Sequence, residues 1–481
     1  MAFALPVALV ALSLQCKTRS LLRYLIYLWH PCPPYHLRGV LELSTSSGSQ
    51  KKMFTKIALR GWRQFRNVDI DFHPRLTILT GANGAGKTTL LNLVSRHFGW
   101  ASSFISTPTR RGSGPGLMYS ADNWSLDDDQ FECFDSEIRE EKRRLALAAQ
   151  GPQTTIGEIL YRNEVRADIS VPNQQIGSSY DVNIRGQQGV EGLHIPSHRA
   201  TYSYQAVQNI PTVPRRRSEV FNQYLNLVRT RFGGGHTQWS PQYYMKETLI
   251  ALATFGYGNM AVEADPESAR VFEDFQKVLR KMLPPTLGFK RITVRIPEVV
   301  LETDTGNFSI DALSGGAAAV IDLAWQVFMY QPSGSEFVVT LDEPENHLHP
   351  ELQQCVLANL VSAFPTVQFV VATHSPFIVG SVPDSNVYVL GYDDTRRVNS
   401  TLLDTVNRAG TATEILRDVL GLAFTMPIWV ESKLENLVER YSIQEFTEAT
   451  LTALREEMTS LGLGKHMPQT IARLAEQKDQ Q

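Results

Sequence analysis

A glycine-rich segment carries the clearest chemistry in this sequence. It reads Gly81-Ala82-Asn83-Gly84-Ala85-Gly86-Lys87-Thr88 and lies between an apolar run at 76–79 and a helical run at 90–94. Glycines let successive backbone N–H groups point inward, and the start of a helix adds partial positive charge, so such a loop holds phosphate groups. The pattern predicts a nucleoside-triphosphate site with these binding residues: Gly81, Asn83, Gly84, Ala85, Gly86, Lys87, Thr88 and Thr89.

Four side chains have specific predicted tasks in this chemistry. Lys87 is expected to reach the β- and γ-phosphates of ATP, and the Thr88 hydroxyl is expected to bind Mg²⁺. An apolar run at 336–341 ends in two carboxylates, Asp342 and Glu343, which is the form of a Walker B segment. We expect Asp342 to hold the magnesium ion through water and Glu343 to be the general base for the attacking water. Lys87 and Glu343 are therefore predicted catalytic residues, and Thr88 and Asp342 are predicted metal ligands.

Two further motifs complete a nucleotide-hydrolysing set. Ser314, Gly315 and Gly316 precede an apolar helical run, and His374 follows a buried strand predicted at 367–371. Each motif is weak alone, but in this order the set resembles the signature motif and the switch histidine of ABC-type ATPases. The resemblance implies that the three signature residues contact the nucleotide and that His374 is catalytic.

The same resemblance implies how the motifs meet. In the ABC architecture the signature lies too far from its own phosphate loop to serve it, so a second protomer must supply it. A helix that starts at the signature offers N–H donors and dipole charge to a γ-phosphate. We therefore expect a two-fold homodimer that encloses two ATP molecules, each held by Lys87 and Glu343 of one subunit and Ser314 and Gly316 of the other. A higher oligomer is left open.

Other segments resemble one branch of these ATPases. The runs 59–65 and 68–72 are similar to the opening strands of the RecF, SMC and OLD (overcoming lysogenisation defect) relatives, often called the AAA-21 type. Residues 342–350 and 373–379 are similar to the same branch. An Asn-His-Leu-His-Pro run at 346–350 stands where a transporter would carry its D-loop, and this disfavours a transporter subunit.

The resemblance and the periodic patterns together predict an α/β fold. An ABC-type P-loop ATPase head with a mixed β-sheet core is expected at 53–400, with an insertion at about 103–290 made of a β-lobe and a helical piece. Strands are predicted at 156–162, 166–171, 180–185 and 193–195, and helices at 134–150, 218–231, 246–255 and 267–282.

Both ends of the chain are predicted to differ from this head. Residues 1–52 are interpreted as an upstream extension or a disordered leader, because their apolar run lacks a basic start and is shorter than the roughly 20 residues of a membrane span. We expect a cytoplasmic location and no association with a membrane. Residues 401–481 are predicted to form a helical region that docks a partner or a second copy. Its helices are predicted at 412–420, 427–441, 443–461 and 468–477.

Composition excludes little beyond this. The 481-residue chain is 43% hydrophobic, and 46 Lys and Arg residues nearly balance 49 Asp and Glu residues, so no overall basic field indicates nucleic acid. Four scattered cysteines without a C-x-x-C motif indicate neither a disulfide framework nor a zinc site. Nucleic-acid contact is left open at three basic sites: Arg110-Arg111, Arg215-Arg216-Arg217, and Arg229 with Arg231 near Trp239, Tyr243 and Tyr244.

Two smaller features have two interpretations each. Arg199 ends the predicted strand series and either senses the nucleotide or the dimer interface, or forms a structural salt bridge. His347 and His349 either form an H-x-H metal pair or are ordinary polar residues, and no further ligand stands near them in the sequence.

Three functions compete on this basis. The C-terminal region lacks the D-x-D pair of the toprim nuclease that OLD relatives carry, so we expect an ATPase without a nuclease of its own. The favoured function is the ATPase sensor and regulator of a bacterial antiphage system, because the motifs resemble the PtuA-like ATPases of Septu and retron systems. Such an ATPase controls a separate nuclease effector, for example of the HNH type. The alternatives are a RecF-like DNA repair and recombination ATPase and, less favoured, a transporter ATPase subunit.

Overall fold

The computed structural model describes residues 53–100, 102–110, 117–121, 124, 152–173, 177–199, 204–330, 336–404, 410–419, 428–442 and 447–479. Residues 1–52, the predicted helix at 134–150 and Arg111 lie outside these residues. The described strands are β1 Phe54–Trp62, β2 Phe65–Asp71, β3 Leu76–Gly81, β4 Phe104–Ile105, β5 Thr107–Arg110, β6 Leu117–Ser120, β7 Gln153–Tyr161, β8 Arg166–Pro172, β9 Ser179–Tyr180, β10 Asn183–Arg185, β11 Gly192–Ile195, β12 Phe289–Arg295, β13 Glu298–Thr303, β14 Gly306–Ser309, β15 Phe337–Asp342, β16 Val367–Ala372, β17 Asn386–Tyr392 and β18 Val398–Leu402.

Eleven of these strands form one mixed sheet. Its order is β10-β8-β7-β1-β2-β18-β17-β3-β16-β15-β11. From β17 to β11 all neighbours pair in parallel, whereas from β10 to β2 all neighbours are antiparallel. The α/β class with a mixed central sheet, predicted from the sequence, is confirmed.

The parallel half of the sheet positions the predicted motifs. Every residue of β3, β15 and β16 is buried, which is typical of parallel strands with both faces covered. Leu79 of β3 lies in register with Ala372 of β16, and Ala372 lies in register with Asp342 of β15. Because parallel strands end at the same edge, the loops that follow β3, β15 and β16 meet there.

Eleven α-helices accompany the strands in the part of the chain that the structure describes. They are α1 Lys87–Ser95, α2 Arg217–Phe232, α3 Pro241–Tyr257, α4 Pro266–Met282, α5 Gly315–Met329, α6 Pro350–Ala363, α7 Pro376–Val379, α8 Ala412–Glu414, α9 Ile428–Ser442, α10 Glu448–Ser460 and α11 Met467–Asp479. In α5 every residue from Ala317 to Met329 is buried, and the Trp325 ring packs edge-on against Phe275 of α4 at 5.0 Å between ring centroids. The helix that follows the signature is therefore a core element.

Two details differ from the predicted strand pattern, whereas the strand predicted at 193–195 is present. The predicted strand at 180–185 is divided into β9 and β10, which pair with β4 and β8 respectively. The predicted strand at 193–195 is β11, which lies beside β15 in the main sheet. A separate three-stranded sheet, β12-β13-β14, was not predicted; the exposed charged residues of β12 leave little apolar alternation there to detect.

The last three helices pack around a hydrophobic cluster of their own. Its buried members are Val430, Leu434, Leu437, Val438, Leu454, Met458, Leu463 and Leu474. Before them, the predicted helix at 412–420 is short: α8 passes into a π-helical turn at Ile415–Val419. Among the described residues, no helix has the length and apolar character needed to cross a membrane.

Candidate nucleotide-binding and hydrolysis site

The phosphate loop connects β3 to α1 and is shaped by its glycines. Gly86 has φ 96°, and a Cβ there would lie 2.3 Å from the Phe65 ring, so only glycine fits this approach. Gln64 Nε2 donates to the Gly84 carbonyl oxygen at 3.2 Å. The turn after β1 therefore supports the loop from below, while Asn83 and Gly84 are exposed at its tip.

Lys87 lies at the first position of α1 and points back into the loop. Its Nζ donates to the carbonyl oxygens of Gly81 at 2.9 Å and Ala82 at 3.0 Å and lies 3.3 Å from His374 Nδ1. Burial lowers the pKa of Lys87 to about 8, although nearby carboxylates, Glu343 foremost, oppose this shift. The ammonium is thus placed where phosphate oxygens would replace its carbonyl partners.

Thr88 and Asp342 place a hydroxyl and a carboxylate side by side next to the loop. Thr88 Oγ1 donates to Asp342 Oδ2 at 3.1 Å. Burial raises the pKa of Asp342 to about 6, with Glu343 adding to the rise and the Thr88 hydroxyl opposing it. A hydroxyl and a carboxylate at this distance fit the oxygen preference of Mg²⁺. A cation here would also relieve the cost of keeping the buried carboxylate charged.

Glu343 is held in an unusual backbone conformation directly after β15. Its φ is 47°, a left-handed value that non-glycine residues seldom adopt. Its amide donates to the Ala372 carbonyl oxygen at 2.9 Å, and its carbonyl oxygen accepts from Arg199 Nη2 at 2.9 Å. Its carboxylate accepts from Asn346 Nδ2 at 3.0 Å and lies 3.6 Å from His374 Nε2.

Glu345 is a site residue that sequence reasoning missed. Its Oε1 accepts three hydrogen bonds, from Thr373 Oγ1 at 2.6 Å, from the His374 amide at 2.9 Å and from the Ser375 amide at 3.2 Å. One carboxylate oxygen therefore anchors the loop that presents the histidine. The available signal was an acidic residue two positions after Glu343, but its partners lie on another strand end.

The signature residues are placed differently from the other motifs. Ser314 and Gly315 are exposed at the start of α5, where Ser314 is the N-cap and accepts from the Ala317 amide at 3.5 Å. A Cβ added to Gly315 would meet no atom within 4 Å. This helix start is open for an approaching group, whereas Lys87, Asp342, Glu343 and His374 converge at the sheet edge.

The two histidines of the H-x-H pattern have separate local settings. The His349 side chain is the N-cap of α6 and accepts from the Glu351 amide, and His347 is exposed with φ 71°. In the part of the chain that the structure describes, no group of three or more His, Cys, Asp or Glu side chains is arranged to hold a metal ion.

Two of the arginines considered for nucleic-acid contact, Arg229 and Arg215, make contacts within the protein. Arg229 donates to the Phe98 carbonyl oxygen at 3.1 Å and lies 5.2 Å over the Trp100 ring. Arg215 pairs with Glu247 at 2.9 Å. These contacts give both arginines a structural role in the fold.

Two family models and several sequence relatives match long stretches of this chain. Residues 56–195 match a model described as "AAA domain", and residues 217–380 match one described as "AAA domain, putative AbiEii toxin, Type IV TA system". The chain is 25% identical over 442 residues to "Retron Ec83 probable ATPase" of Escherichia coli. The aligned region covers 82% of this chain and 80% of that protein. It is 25% identical over 169 residues to "Septu protein PtuA" of Bacillus thuringiensis, covering 32% of this chain and 43% of that protein.

One solved structure that the chain matches is the Smc head domain of Pyrococcus furiosus with an extended coiled coil, bound to the C-terminal domain of ScpA. It is 15% identical, covers 76% of this chain and 99% of that chain, and gives a TM-score of 0.38. The sequence relatives and the motif order agree with the resemblance drawn from the sequence. The chain therefore contains two segments that match AAA domains, and it resembles the retron and Septu PtuA ATPases.

Proposed function

We propose that this protein binds Mg²⁺-ATP at the edge of β3, β15 and β16 and hydrolyses it. Lys87 binds the β- and γ-phosphates together with the loop amides, and Thr88 and Asp342 hold the magnesium ion, which neutralises phosphate charge when bound. The convergence of these side chains on one edge supports the assignment. Its test is magnesium-dependent phosphate release by the purified protein.

Glu343 is the general base in this proposal. Its carboxylate is oriented by Asn346 and faces His374, so a water held between the carboxylate and the γ-phosphate can lose its proton to Glu343. His374, fixed by the Glu345 anchor, lies between Lys87 and Glu343 and contacts the γ-phosphate side of the site. Burial lowers the pKa of His374, with Lys87 adding to the shift, so the neutral imidazole is favoured in the nucleotide-free protein.

The active form in this proposal is a homodimer that encloses two ATP molecules. The exposed helix start at Ser314 supplies N–H donors to the γ-phosphate held by the partner subunit. ATP then holds the dimer together, and hydrolysis releases it, so the output is a conformational switch.

Mixed variants test this arrangement. A homodimer of Lys87→Ala or of Ser314→Arg subunits would have no complete site, whereas a heterodimer of the two would have one complete site that can bind ATP and hold the pair together. We expect each variant alone to be inactive and the mixture to regain part of the ATPase activity. Mixtures that exchange subunits and stay inactive would show that the signature does not act between subunits in this way.

We further propose that the switch regulates a separate nuclease effector in an antiphage defence system. The observation that carries this proposal is the similarity to a retron ATPase along 82% of the chain. Coexpression with the neighbouring genes of its operon, followed by purification and phage challenge, tests it. We expect a nuclease to copurify and protection to be lost in the Lys87→Ala variant; protection that survives this change would contradict the proposal.

A further inference from the structure

A buried lysine lies behind the signature motif. Lys246 of α3 is fully buried, and its ammonium pairs with Asp311 and lies 3.5 Å from Glu298 Oε2. The Asp311 side chain is 4% exposed. Tyr204 closes the cluster, since its hydroxyl donates to Glu298 Oε1 at 2.8 Å and its ring lies 5.3 Å from the ammonium. A buried charge is costly without partners, so this cluster fixes the relative positions of its elements.

These elements meet immediately before the signature. Asp311 belongs to the 3₁₀ turn Ile310–Ala312, which follows β14 and leads into Ser314. Ile310 is 1% exposed and fixes the turn from its apolar side. Three residues of chain span at most about 11 Å, so a fixed Asp311 restricts where Ser314 and the start of α5 can lie.

From this geometry we infer that Lys246 is a positioning residue for the signature: it holds the turn at Asp311 so that the start of α5 faces the nucleotide of the partner subunit. The inference rests on the proposed ATP-dependent dimer and extends it to the helical layer. A helix distant in sequence thereby sets the geometry of half of each composite site. Anything that shifts α3 would loosen the dimer without touching the phosphate loop.

The test uses the full-length protein with Glu343→Gln, in which we expect bound ATP to persist because the proposed base is removed. In this background we compare Lys246→Met, Asp311→Asn and Ser314→Arg, and Arg291→Gln serves as the matched control. Arg291 pairs with Glu302 across the same small sheet, but its side chain is 63% exposed and lies outside the cluster. Binding of a fluorescent ATP analogue measures the nucleotide affinity of the phosphate loop. Sedimentation in the presence of ATP measures the strength of the dimer.

We expect Lys246→Met and Asp311→Asn to keep the parental affinity for the analogue and to weaken the ATP-dependent dimer by about tenfold or more, as Ser314→Arg does. Hydrogen exchange at 310–316 should become faster than in the control. Asp311→Asn conserves volume and carries the test if Lys246→Met does not fold. If the folded Lys246→Met and Asp311→Asn variants dimerise as strongly as the parent while Ser314→Arg fails to dimerise, the inference about Lys246 is wrong, but the proposed composite site stands. A parental dimer in Ser314→Arg as well would overturn the proposed composite site.

Discussion

Arg199 Nη2 donates a hydrogen bond of 2.9 Å to the backbone carbonyl oxygen of Glu343. This bond holds the glutamate on its C-terminal side, while the amide of Glu343 is held by the Ala372 carbonyl oxygen. The Arg199 charge also stabilises the carboxylate of Asp322, a buried residue of α5 whose pKa is raised by burial. Arg199 therefore connects the proposed base with the helix that follows the signature.

Arg199→Gln should reduce ATP turnover on the order of 10²-fold, because small displacements of a catalytic group have effects of this size. ATP binding should change little, since Arg199 does not belong to the phosphate loop. Steady-state ATPase kinetics and analogue binding measure the two effects separately. Arg185→Gln is the control, because it also removes an arginine charge, in this case from an exposed ion pair with Asp168 between β10 and β8. Parental turnover in Arg199→Gln would show that the carbonyl bond does not position Glu343.

Glu343→Gln should slow hydrolysis by about 10²-fold or more while ATP binding is retained. The change removes the proton acceptor but keeps the side-chain size and leaves Asp342 free to hold magnesium. Lys87→Ala is the informative comparison, since it should weaken ATP binding itself by removing the main cation at the γ-phosphate. Single-turnover hydrolysis with isotopically labelled ATP separates the two effects, and near-parental turnover in Glu343→Gln would assign the base elsewhere.

Stability should fall in mild acid because of His194, which lies on β11 beside the Walker B strand. Burial lowers the pKa of His194 to about 3, whereas the unfolded value is 6.5. Below pH 6.5 the unfolded state therefore binds a proton that the folded state does not bind. The contribution of His194 to the free energy of unfolding is present above pH 6.5 and is lost progressively as the pH falls toward 3. Between pH 7 and pH 5 the loss should be about 2 kcal/mol.

Urea unfolding at the two pH values measures this loss. His194 Nδ1 lies 2.9 Å from Thr340 Oγ1, so His194→Gln can keep a hydrogen bond to Thr340 while removing the titrating group. The variant should lose about 2 kcal/mol less than the parent between pH 7 and pH 5. Equal losses in both proteins would mean that other groups account for the acid sensitivity.

Deletion of residues 428–479 should abolish binding of a copurifying partner and leave substantial ATPase activity. The physical reason is that α9, α10 and α11 pack around their own hydrophobic cluster, separate from the two clusters of the central sheet. Affinity purification with the operon neighbours and ATPase assays give the two readouts. Simultaneous loss of dimer, ATPase and partner would instead assign these helices to the dimer interface.

Local motifs let the sequence predict which residues lie close together at the edge of the sheet. The phosphate loop, the Walker B carboxylates and His374 each follow an apolar strand, and strand ends of a parallel sheet must meet. The contacts of Glu345 and Arg199 could not be predicted, because they join strand ends that are distant in sequence. Motif spacing indicates which residues are near each strand end, but it does not indicate which donor faces which acceptor.

Strand order was likewise beyond local patterns. The sequence indicates where β3 lies, but nothing in its apolar run specifies that β17 and β18 separate β3 from β2. The three-stranded sheet β12-β13-β14 was missed for a related reason, since its first strand is stabilised by cross-strand ion pairs such as Arg291–Glu302 instead of apolar alternation.

The sheet order has a consequence for synthesis on the ribosome. The phosphate-loop strand β3 emerges early, yet both strands that flank it, β16 and β17, are made only at residues 367–372 and 386–392. A nascent chain that ends before residue 386 has the loop but lacks β17, and one that ends before residue 367 lacks both strands that flank β3. Nucleotide binding should therefore begin late in translation. Chains truncated before that point should not bind ATP and should instead be recognised by chaperones and proteases.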